Sequence, residues 1–163
     1  IVVTLGTEFN KPEVLDDSPI VKVTLDGTKI AANVDVKNAA TGSTTTTAAS
    51  VVTANEEATP TTITTTKGTF TKAANAEANA KSCFSCIAIP QTVAANTFKV
   101  SLMTAGKRYE WTSDKEITLQ SGYRYTLELT MGNNVVLLKG GSDNGGITAT
   151  PWGNGTGGSL ETD

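Results

Sequence analysis

The feature that most constrains the fold is an alternation of apolar and polar residues through positions 97–131. Strict alternation is typical of a strand with one buried and one solvated face. A turn is expected at residues 104–107, between the first two strands of this stretch. The pattern predicts three inward-facing sets: Phe98, Val100 and Leu102, then Tyr109 and Trp111, then Tyr123, Tyr125, Leu127, Leu129 and Met131.

Shorter apolar runs predict further strands on either side of this stretch. They cover residues 1–5, 82–90, 135–138 and 147–152. A hairpin is predicted at residues 21–36, because Asp26-Gly27 suits a type I′ turn, in which both central residues have positive φ. In that hairpin the residues expected to face inwards are Val21, Val23, Leu25, Ile30, Ala32, Val34 and Val36, with Lys22 and Thr24 facing outwards.

Residues 40–71 are rich in Thr, Ala and Ser and admit two interpretations. One is a flexible or glycosylated linker of low complexity. The other is a pair of edge strands at residues 50–53 and 61–65, separated by a loop at 55–57. The strand interpretation is favoured because Val51, Val52 and Ile63 lie among β-branched neighbours. Residues 73–81 lack an apolar stripe and are predicted to form a loop or a single helical turn.

The strand count defines the fold class. Seven to nine short strands, separated by turn residues and without a convincing helix, predict an all-β fold, an antiparallel β-sandwich, with a barrel as the alternative. The chain of 163 residues fits one domain. We expect that domain to span residues 1–152, with residues 153–163 as a disordered glycine-rich tail. Residues 140–146 are expected to form a glycine-rich loop.

Composition excludes several functional classes. The sequence contains no histidine, which removes Ser-His-Asp and Cys-His nucleophile systems and the commonest metal ligand. The net charge is -3 and no basic run is present, so nucleic acid is not expected as a partner. No apolar run reaches the roughly 20 residues of a membrane helix. The first residues do not form a signal peptide, so any leader would lie upstream of Ile1.

The motif Cys83-Phe84-Ser85-Cys86 has C-x-x-C spacing but lacks the context of a redox site. A thioredoxin-like site places this motif at the start of a helix, whereas here an apolar run and Pro90 follow. In a strand, residues three apart lie about 10 Å apart on opposite faces, beyond the about 7 Å between Cα atoms that a disulfide spans. Both cysteines are therefore interpreted as small apolar fillers.

Other polar groups give no stronger signal for chemistry. Residues 142–146 contain oxygen ligands and glycine but not the spacing of a calcium loop. The neighbouring carboxylates Asp16-Asp17 and Glu56-Glu57 are interpreted as surface charge, because nothing holds them across a cleft as a glycosidase requires. No catalytic residue, metal site or cofactor is predicted, and we expect the protein not to be an enzyme.

The second half of the sequence resembles the C-terminal domain of the Bacteroidetes fimbrillin family, in four pieces that follow one another. An apolar strand ends in Pro90-Gln91, and a hairpin with glycine at its turn is followed by aromatic residues at 109–111. A long strand starts with the motif at residues 119–125. The chain then closes on an Ile147 to Trp152 segment, with Pro151 where many members have an acidic residue. The resemblance covers residues 82–152 well and residues 1–70 loosely.

This resemblance implies a fold and a role. Members of the family are exported surface lipoproteins with two transthyretin-like, Greek-key β-sandwich domains, and this chain would be the C-terminal domain of a longer precursor. Many polymerise into fimbriae after a protease removes an N-terminal segment, when a strand from the next subunit fills the exposed groove. The expected function is that of a non-enzymatic fimbrial (pilus) subunit in adhesion at the cell surface and outer membrane.

The resemblance also implies partners. These are other fimbrial subunits, with host or microbial surface proteins or glycans as further candidates. The membrane would be reached only through a lipid anchor on a cysteine upstream of this chain. The candidate assembly edge consists of Ile1, Val3, Leu5, Ile147 and Trp152. The glycine-rich tail after Trp152 departs from a strand-donating subunit, which leaves tip, anchor and non-polymerising roles open.

The alternative function is a monomeric glycan-binding module. Aromatic side chains that are exposed on a sheet can stack on sugar rings, although aromatic residues of sandwich strands are more often core or cross-strand partners. The candidate sugar platform consists of Tyr109, Trp111 and Tyr123.

Overall fold

The structure is a computed structural model that describes residues 1–6, 15–35, 51–75, 78–132, 136–138 and 147–151. Those residues form fourteen strands and no helix. The strands are β1 (Val2–Leu5), β2 (Ile20–Thr28), β3 (Ala32–Asp35), β4 (Val51–Ala54), β5 (Thr61–Thr64), β6 (Thr66–Thr71), β7 (Lys81–Ser85), β8 (Gln91–Val93), β9 (Lys99–Thr104), β10 (Arg108–Thr112), β11 (Ile117–Leu119), β12 (Tyr123–Met131), β13 (Val136–Leu138) and β14 (Ile147–Pro151).

The larger sheet, sheet A, is organised around β12. Its strand order is β13-β12-β1-β7-β6, and β14 pairs with the first half of β12. All pairs in this sheet are antiparallel except one, because β1 runs parallel to β12, with Val2 opposite Glu128 and Leu5 opposite Met131. A parallel partner cannot be reached by a tight turn, and this pair brings together two segments that are distant in sequence.

The second sheet, sheet B, contains β10-β9-β2-β5, all antiparallel. Two small two-stranded sheets complete the fold, β8 with β11 and β3 with β4. The inner faces of sheets A and B share one hydrophobic core, so the molecule is the all-β sandwich that the alternation predicts. The transthyretin-like, Greek-key relationship stays a prediction.

The core comes largely from the stretch at residues 97–131. Phe98, Val100 and Leu102 are buried, as are the last three members of the long strand's apolar set, Leu127, Leu129 and Met131. Sheet A adds Val3, Leu5 and Phe84 from β1 and β7. Removing each such side chain from water contributes about 1.5–3 kcal/mol, which explains why a period-2 pattern dictates this packing. The predicted turn is also confirmed, since the amide of Thr104 donates to the carbonyl of Lys107 at 2.9 Å.

The predicted hairpin at residues 21–36 is wrong. Strand β2 continues through Asp26-Gly27 to Thr28 and lies between β9 and β5, while β3 pairs with β4 instead. Gly27 keeps the positive φ of 90° that a turn would also require. Here it forms part of a bulge, since the β2–β5 register shifts between Leu25 and Thr28. The Asp-Gly signal was therefore correct about backbone conformation and wrong about chain reversal.

The facing predicted for this region is also wrong in part. Val23 and Leu25 are buried, but Val21 is 65% exposed and Thr24 is buried. A register shift against β9 between Ile20 and Lys22 changes which residues face inwards, so that Ile20 takes the core position expected for Val21. Ile30 and Val34 are each 55% exposed and Ala32 is exposed, because β3 lies in a small ribbon outside the two main sheets. Val36 lies outside the described residues.

The threonine-rich region is extended where the structure describes it. Strands β4 and β5 confirm the strand interpretation for residues 51–54 and 61–64, and β5 forms an edge of sheet B. The strand expected at residues 82–90 ends earlier, at Ser85, and the apolar side chain of Ile87 is 92% exposed. Residues 140–146 and 153–163, for which a loop and a tail are expected, lie outside the described residues.

Candidate assembly edges

Strand β1, which carries three of the candidate edge residues, is an interior strand. Its main chain is paired on one side with β12 and on the other with β7. The amide of Gly6 donates to the carbonyl of Met131 at 2.8 Å, and the amide of Leu5 donates to that of Ala80 at 2.9 Å. The expectation of an open edge at Ile1, Val3 and Leu5 is therefore wrong, because both sides of this strand already have partners. Val3 and Leu5 are fully buried core residues.

Strand β14, which begins at Ile147, does lie at an edge. Among the described strands it pairs with β12 only, with Ile147 opposite Leu127 and Pro151 opposite Tyr123. Pro151 has no N–H and cannot donate to β12. A proline at a strand end fits the alternation in which Thr148 and Thr150 bond to β12 and the peptide groups of Ile147 and Ala149 point outwards. The side chain of Ile147 is buried, whereas residues 148–151 are exposed. Trp152, the last candidate edge residue, lies outside the described residues.

The candidate sugar platform is not assembled. Tyr109 is 9% exposed and belongs to the core, and Trp111 packs edge-on against Phe98 with ring centroids 6.4 Å apart. Tyr123 lies in sheet A, not in sheet B with the other two residues. It is 39% exposed, and the centroid of its ring lies 6.3 Å from that of Tyr125. The hydroxyl of Tyr125 accepts a hydrogen bond from the amide of Gln120 at 2.6 Å. These aromatic residues mainly support packing.

The edge of sheet A at β6 is charged. Lys67 of β6 forms an ion pair with Asp17 at 2.7 Å, and Lys72, just beyond the strand, forms one with Asp16 at 2.5 Å. Hydrogen bonds from these lysines are the main reason that the pKa values of both carboxyl groups lie below their usual range. The ladder with β7 also shifts between Lys67 and Phe70, which is a bulge. Lysine residues and bulges are the usual means of protecting an edge strand from pairing.

The edge of sheet B at β10 is charged as well. Arg108 donates to the hydroxyl of Ser101 at 2.9 Å and to the carboxylate of Glu110 at 3.2 Å. Lys99 of the neighbouring strand approaches the other oxygen of Glu110 at 3.3 Å. A strand added here would have to be accommodated beside these charges, so β10 is a protected edge.

The remaining edge of sheet B, at β5, is uncharged. Its sequence is Thr61-Thr62-Ile63-Thr64, and Pro60 precedes it. Ile63 packs partly against the core, while the three threonine residues are exposed. Strand β5 was not among the assembly edges predicted from the sequence. The signal that could have indicated it is an uncharged β-branched run directly after a proline.

A model of the fimbrillin-like family matches residues 2–152 of the chain. The chain belongs to the fimbrillin-like family. The match spans nearly the whole sequence, including the first strand and the threonine-rich region, whereas the sequence motifs covered residues 82–152 best. Comparisons with curated proteins and with solved structures gave no match. Fimbrillin-like proteins are structural subunits of fimbriae, so membership implies a fimbrial subunit that interacts with other subunits at the cell surface.

The described part of this fimbrillin-like chain contains no group of three or more Cys, Asp and Glu residues placed to hold a metal ion. The predicted surface carboxylates are exposed, at Asp16, Asp17, Glu56 and Glu57. The calcium-like loop at residues 142–146 lies outside the described residues. Across the segments that the structure describes, no helix is long and apolar enough to cross a membrane.

The two cysteines of the fimbrillin-like chain are not bonded to each other, as their spacing on an extended segment predicts. Cys83 is half-buried on β7. Cys86 is exposed, so the interpretation of both residues as apolar fillers is wrong for Cys86. It follows the end of β7, where the chain leaves sheet A. Partial burial of its thiol nevertheless raises the pKa of Cys86, which disfavours a reactive thiolate.

Proposed function

We propose that the protein is a non-enzymatic fimbrial subunit of the Bacteroidetes cell surface that acts in adhesion and assembles by β-strand addition. The observation that carries this proposal is the family match over residues 2–152. Its place on an outer membrane through a lipid anchor, and its contacts with host or microbial proteins or glycans, belong to the same proposal.

The edge of β14 is the proposed site of strand addition. Strand addition needs main-chain N–H and C=O groups that no strand already uses, together with few charges nearby. Ile147 and Ala149 supply such groups, and residues 147–151 carry no charge. The structure describes four of the candidate assembly residues. Of these, Ile147 lies on β14, whose outer side has no pairing partner among the described strands.

A proline scan of outward-pointing amides tests this assignment. In Ala149→Pro the lost N–H points away from β12, so the fold is retained while a donor for the incoming strand is removed. Thr112→Pro is the matched control. The amide of Ser113 donates to the carbonyl of Phe98, and peptide directions alternate along a strand, so the amide of Thr112 points out of the charged β10 edge.

The assay is the ladder of oligomers that survives detergent without boiling. Wild type and Thr112→Pro should both form the ladder, whereas Ala149→Pro should remain a folded monomer by circular dichroism. A ladder from Ala149→Pro equal to that of wild type would contradict the proposed edge. A single monomer band from all three proteins would contradict assembly by strand addition altogether.

A further inference from the structure

We propose that the ribbon of β3 and β4 is a docking arm for a partner segment that combines aliphatic and basic side chains. This role is separate from strand addition, because the ribbon belongs to neither main sheet and its two strands pair with each other. It uses the side chains on one face of the ribbon, whereas strand addition uses the main chain at an edge. The two proposals therefore stand or fall independently.

The ribbon has one apolar face and one polar face. Side chains alternate between faces along a strand, and residues opposite each other in an antiparallel pair share a face. The opposite face carries Asn33 and Thr53. The register of β3 with β4, continued by alternation to the residue ahead of Ala31, gives the members of the apolar face: Ile30, Ala32, Val34, Val52 and Ala54.

The core of the sandwich does not take up this apolar face. The side chains of Ile30 and Val34 are each 55% exposed and Ala32 is exposed, while Val52 and Ala54 are partly buried. Alternation of this kind is typical of a strand face that packs against another surface. Exposed apolar side chains that lie together, rather than singly, indicate a contact site for another molecule.

Both legs of the ribbon are fixed to Pro90 and Gln91. The side-chain carbonyl of Gln91 accepts from the amide of Lys29 at 2.8 Å, and its side-chain amide donates to the carbonyl of Lys29 at 3.0 Å. On the other leg, the amide of Ala54 donates to the carbonyl of Pro90 at 3.3 Å. Because the ribbon is held in place before it binds, docking costs little conformational entropy.

Acidic residues border the base of the apolar face. Glu56 and Glu57 follow β4 in a turn. The ammonium group of Lys29, next to Ile30, donates to the main-chain carbonyl of Glu56 at 2.6 Å. Both glutamates are exposed and form no ion pair with another described residue. Charge complementarity therefore favours a partner that places Lys or Arg beside its aliphatic side chains.

The same carboxylates disfavour two other occupants. Apolar surfaces that bind membranes are bordered by Lys and Arg, which anionic lipids attract, whereas Glu56 and Glu57 would be repelled. A second copy of this chain would bring its own Glu56 and Glu57 towards those of the first, and like charges across an interface are unfavourable. A basic, amphipathic protein segment matches both the apolar face and its acidic border.

Peptide binding to the full chain, followed by fluorescence anisotropy, tests this chemistry. The probe is a labelled amphipathic helix of Leu and Lys, about 18 residues long, and the control peptide has Glu in place of every Lys. We expect the Lys peptide to bind with an affinity that falls as salt is added, and the Glu peptide not to bind. Equal binding of the two peptides, or binding of neither, would overturn the inference.

Variants of the apolar face locate the site. Val34→Thr keeps the shape of the side chain but adds a hydroxyl to the face, and should weaken binding about fivefold. Ile30→Thr should have an effect in the same direction. Val21→Thr is the matched control, because Val21 is 65% exposed on β2, outside the ribbon, and this variant should bind like wild type. Equal weakening by Val34→Thr and Val21→Thr would overturn the assignment to the ribbon.

Variants of the acidic border separate a local charge effect from the net charge of the chain. Glu56→Gln combined with Glu57→Gln should weaken binding about threefold and reduce its salt dependence. Asp114→Asn combined with Glu128→Gln removes the same charge from exposed positions outside the ribbon and should leave binding unchanged. Equal effects of the two double variants would show that the peptide follows net charge alone, which contradicts the proposal.

Two further measurements distinguish the other occupants. Binding to vesicles of phosphatidylcholine and phosphatidylglycerol that Val34→Thr abolishes would assign the face to a lipid surface instead. A dimer in sedimentation that the same variant abolishes would assign it to a second copy. The detergent-resistant ladder should be unchanged in Val34→Thr, so that a failure of peptide binding is distinguishable from a failure of strand addition.

Discussion

Substitution of Gly27 tests the account of the fold because its backbone is both strained and crowded. Its φ of 90° is one that L-residues rarely adopt, which costs about 1–2 kcal/mol in Gly27→Ala. A Cβ atom there would also overlap the carbonyl oxygen of Thr97 and lie 2.8 Å from its carbonyl carbon. Displacing that main chain, next to the buried side chain of Phe98, adds about 1–3 kcal/mol by analogy with overpacking. The expected loss of unfolding free energy is about 2–5 kcal/mol.

Two further glycines separate strain from crowding. Gly122 has a φ of 79° and no atom within 4 Å of an added Cβ, so Gly122→Ala should cost only the strain, about 1–2 kcal/mol. Gly106 has open space and no positive φ. Gly106→Ala should therefore be neutral or stabilising by about 0.4–1 kcal/mol, since alanine restricts the unfolded chain.

Urea unfolding followed by circular dichroism measures the loss of unfolding free energy in all three variants, and thermal unfolding measures their melting temperatures. At about 2–4 °C per kcal/mol for a chain of this size, the melting temperature of Gly27→Ala should fall by about 4–20 °C. If Asp26-Gly27 were a solvent-exposed hairpin turn, Gly27→Ala would cost only the strain and match Gly122→Ala. Equal losses in these two variants would refute the continuous strand β2 packed against residue 97.

Three other predictions follow from burial and hydrogen bonding. Leu129→Ala should lower the unfolding free energy by about 2.7–5 kcal/mol, because the side chain of Leu129 is fully buried. Val21→Ala should change it by less than about 0.5 kcal/mol, because the side chain of Val21 is exposed. Similar losses in the two variants would contradict the described core. Ser18→Ala should lower the unfolding free energy by about 1–3 kcal/mol, because the buried hydroxyl of Ser82, 2.6 Å from that of Ser18, loses this hydrogen-bond partner. In a double-mutant cycle with Ser82→Ala, the double variant should lose less than the sum of the two single losses. Strictly additive losses would show that the hydrogen bond contributes nothing. Iodoacetamide should modify Cys86 in the native protein. Because burial raises the pKa of this thiol, the modification rate should increase only at a pH above that at which a free cysteine ionises. Fast modification at neutral pH would contradict the raised pKa.

The parts of the fold that could be predicted are those that depend on local pattern. The burial of Leu102 or Leu129 follows from the period-2 alternation within its own strand, whichever strands become its neighbours. The burial of Tyr109 and the partial exposure of Tyr123 could not be predicted in the same way. Both lie on alternating strands, and the difference depends on how far the opposite sheet extends.

The failed predictions depend on partners that are distant in sequence. Asp26-Gly27 favours a positive φ in either structure, and the packing of residue 97 against Gly27 decides that the conformation forms part of a bulge. The edge expected at β1 was wrong because β1 pairs both with β7 and with β12, and its partner residues, such as Glu128 opposite Val2, are distant in sequence. The uncharged edge at β5 was not predicted because alternation shows where a strand lies but not which strands form the edges of a sheet.

Amide hydrogen exchange tests the central claim most directly, because it reports each main-chain donor separately. If Thr148 and Thr150, which lie opposite Thr126 and Arg124, make the hydrogen bonds to β12, their amides should be protected in the monomer, while those of Ile147 and Ala149 should exchange quickly. On assembly, the account predicts slow exchange at residues 147 and 149, with Thr148 and Thr150 remaining protected. Unchanged fast exchange at residues 147 and 149 in detergent-resistant oligomers would contradict strand addition at β14.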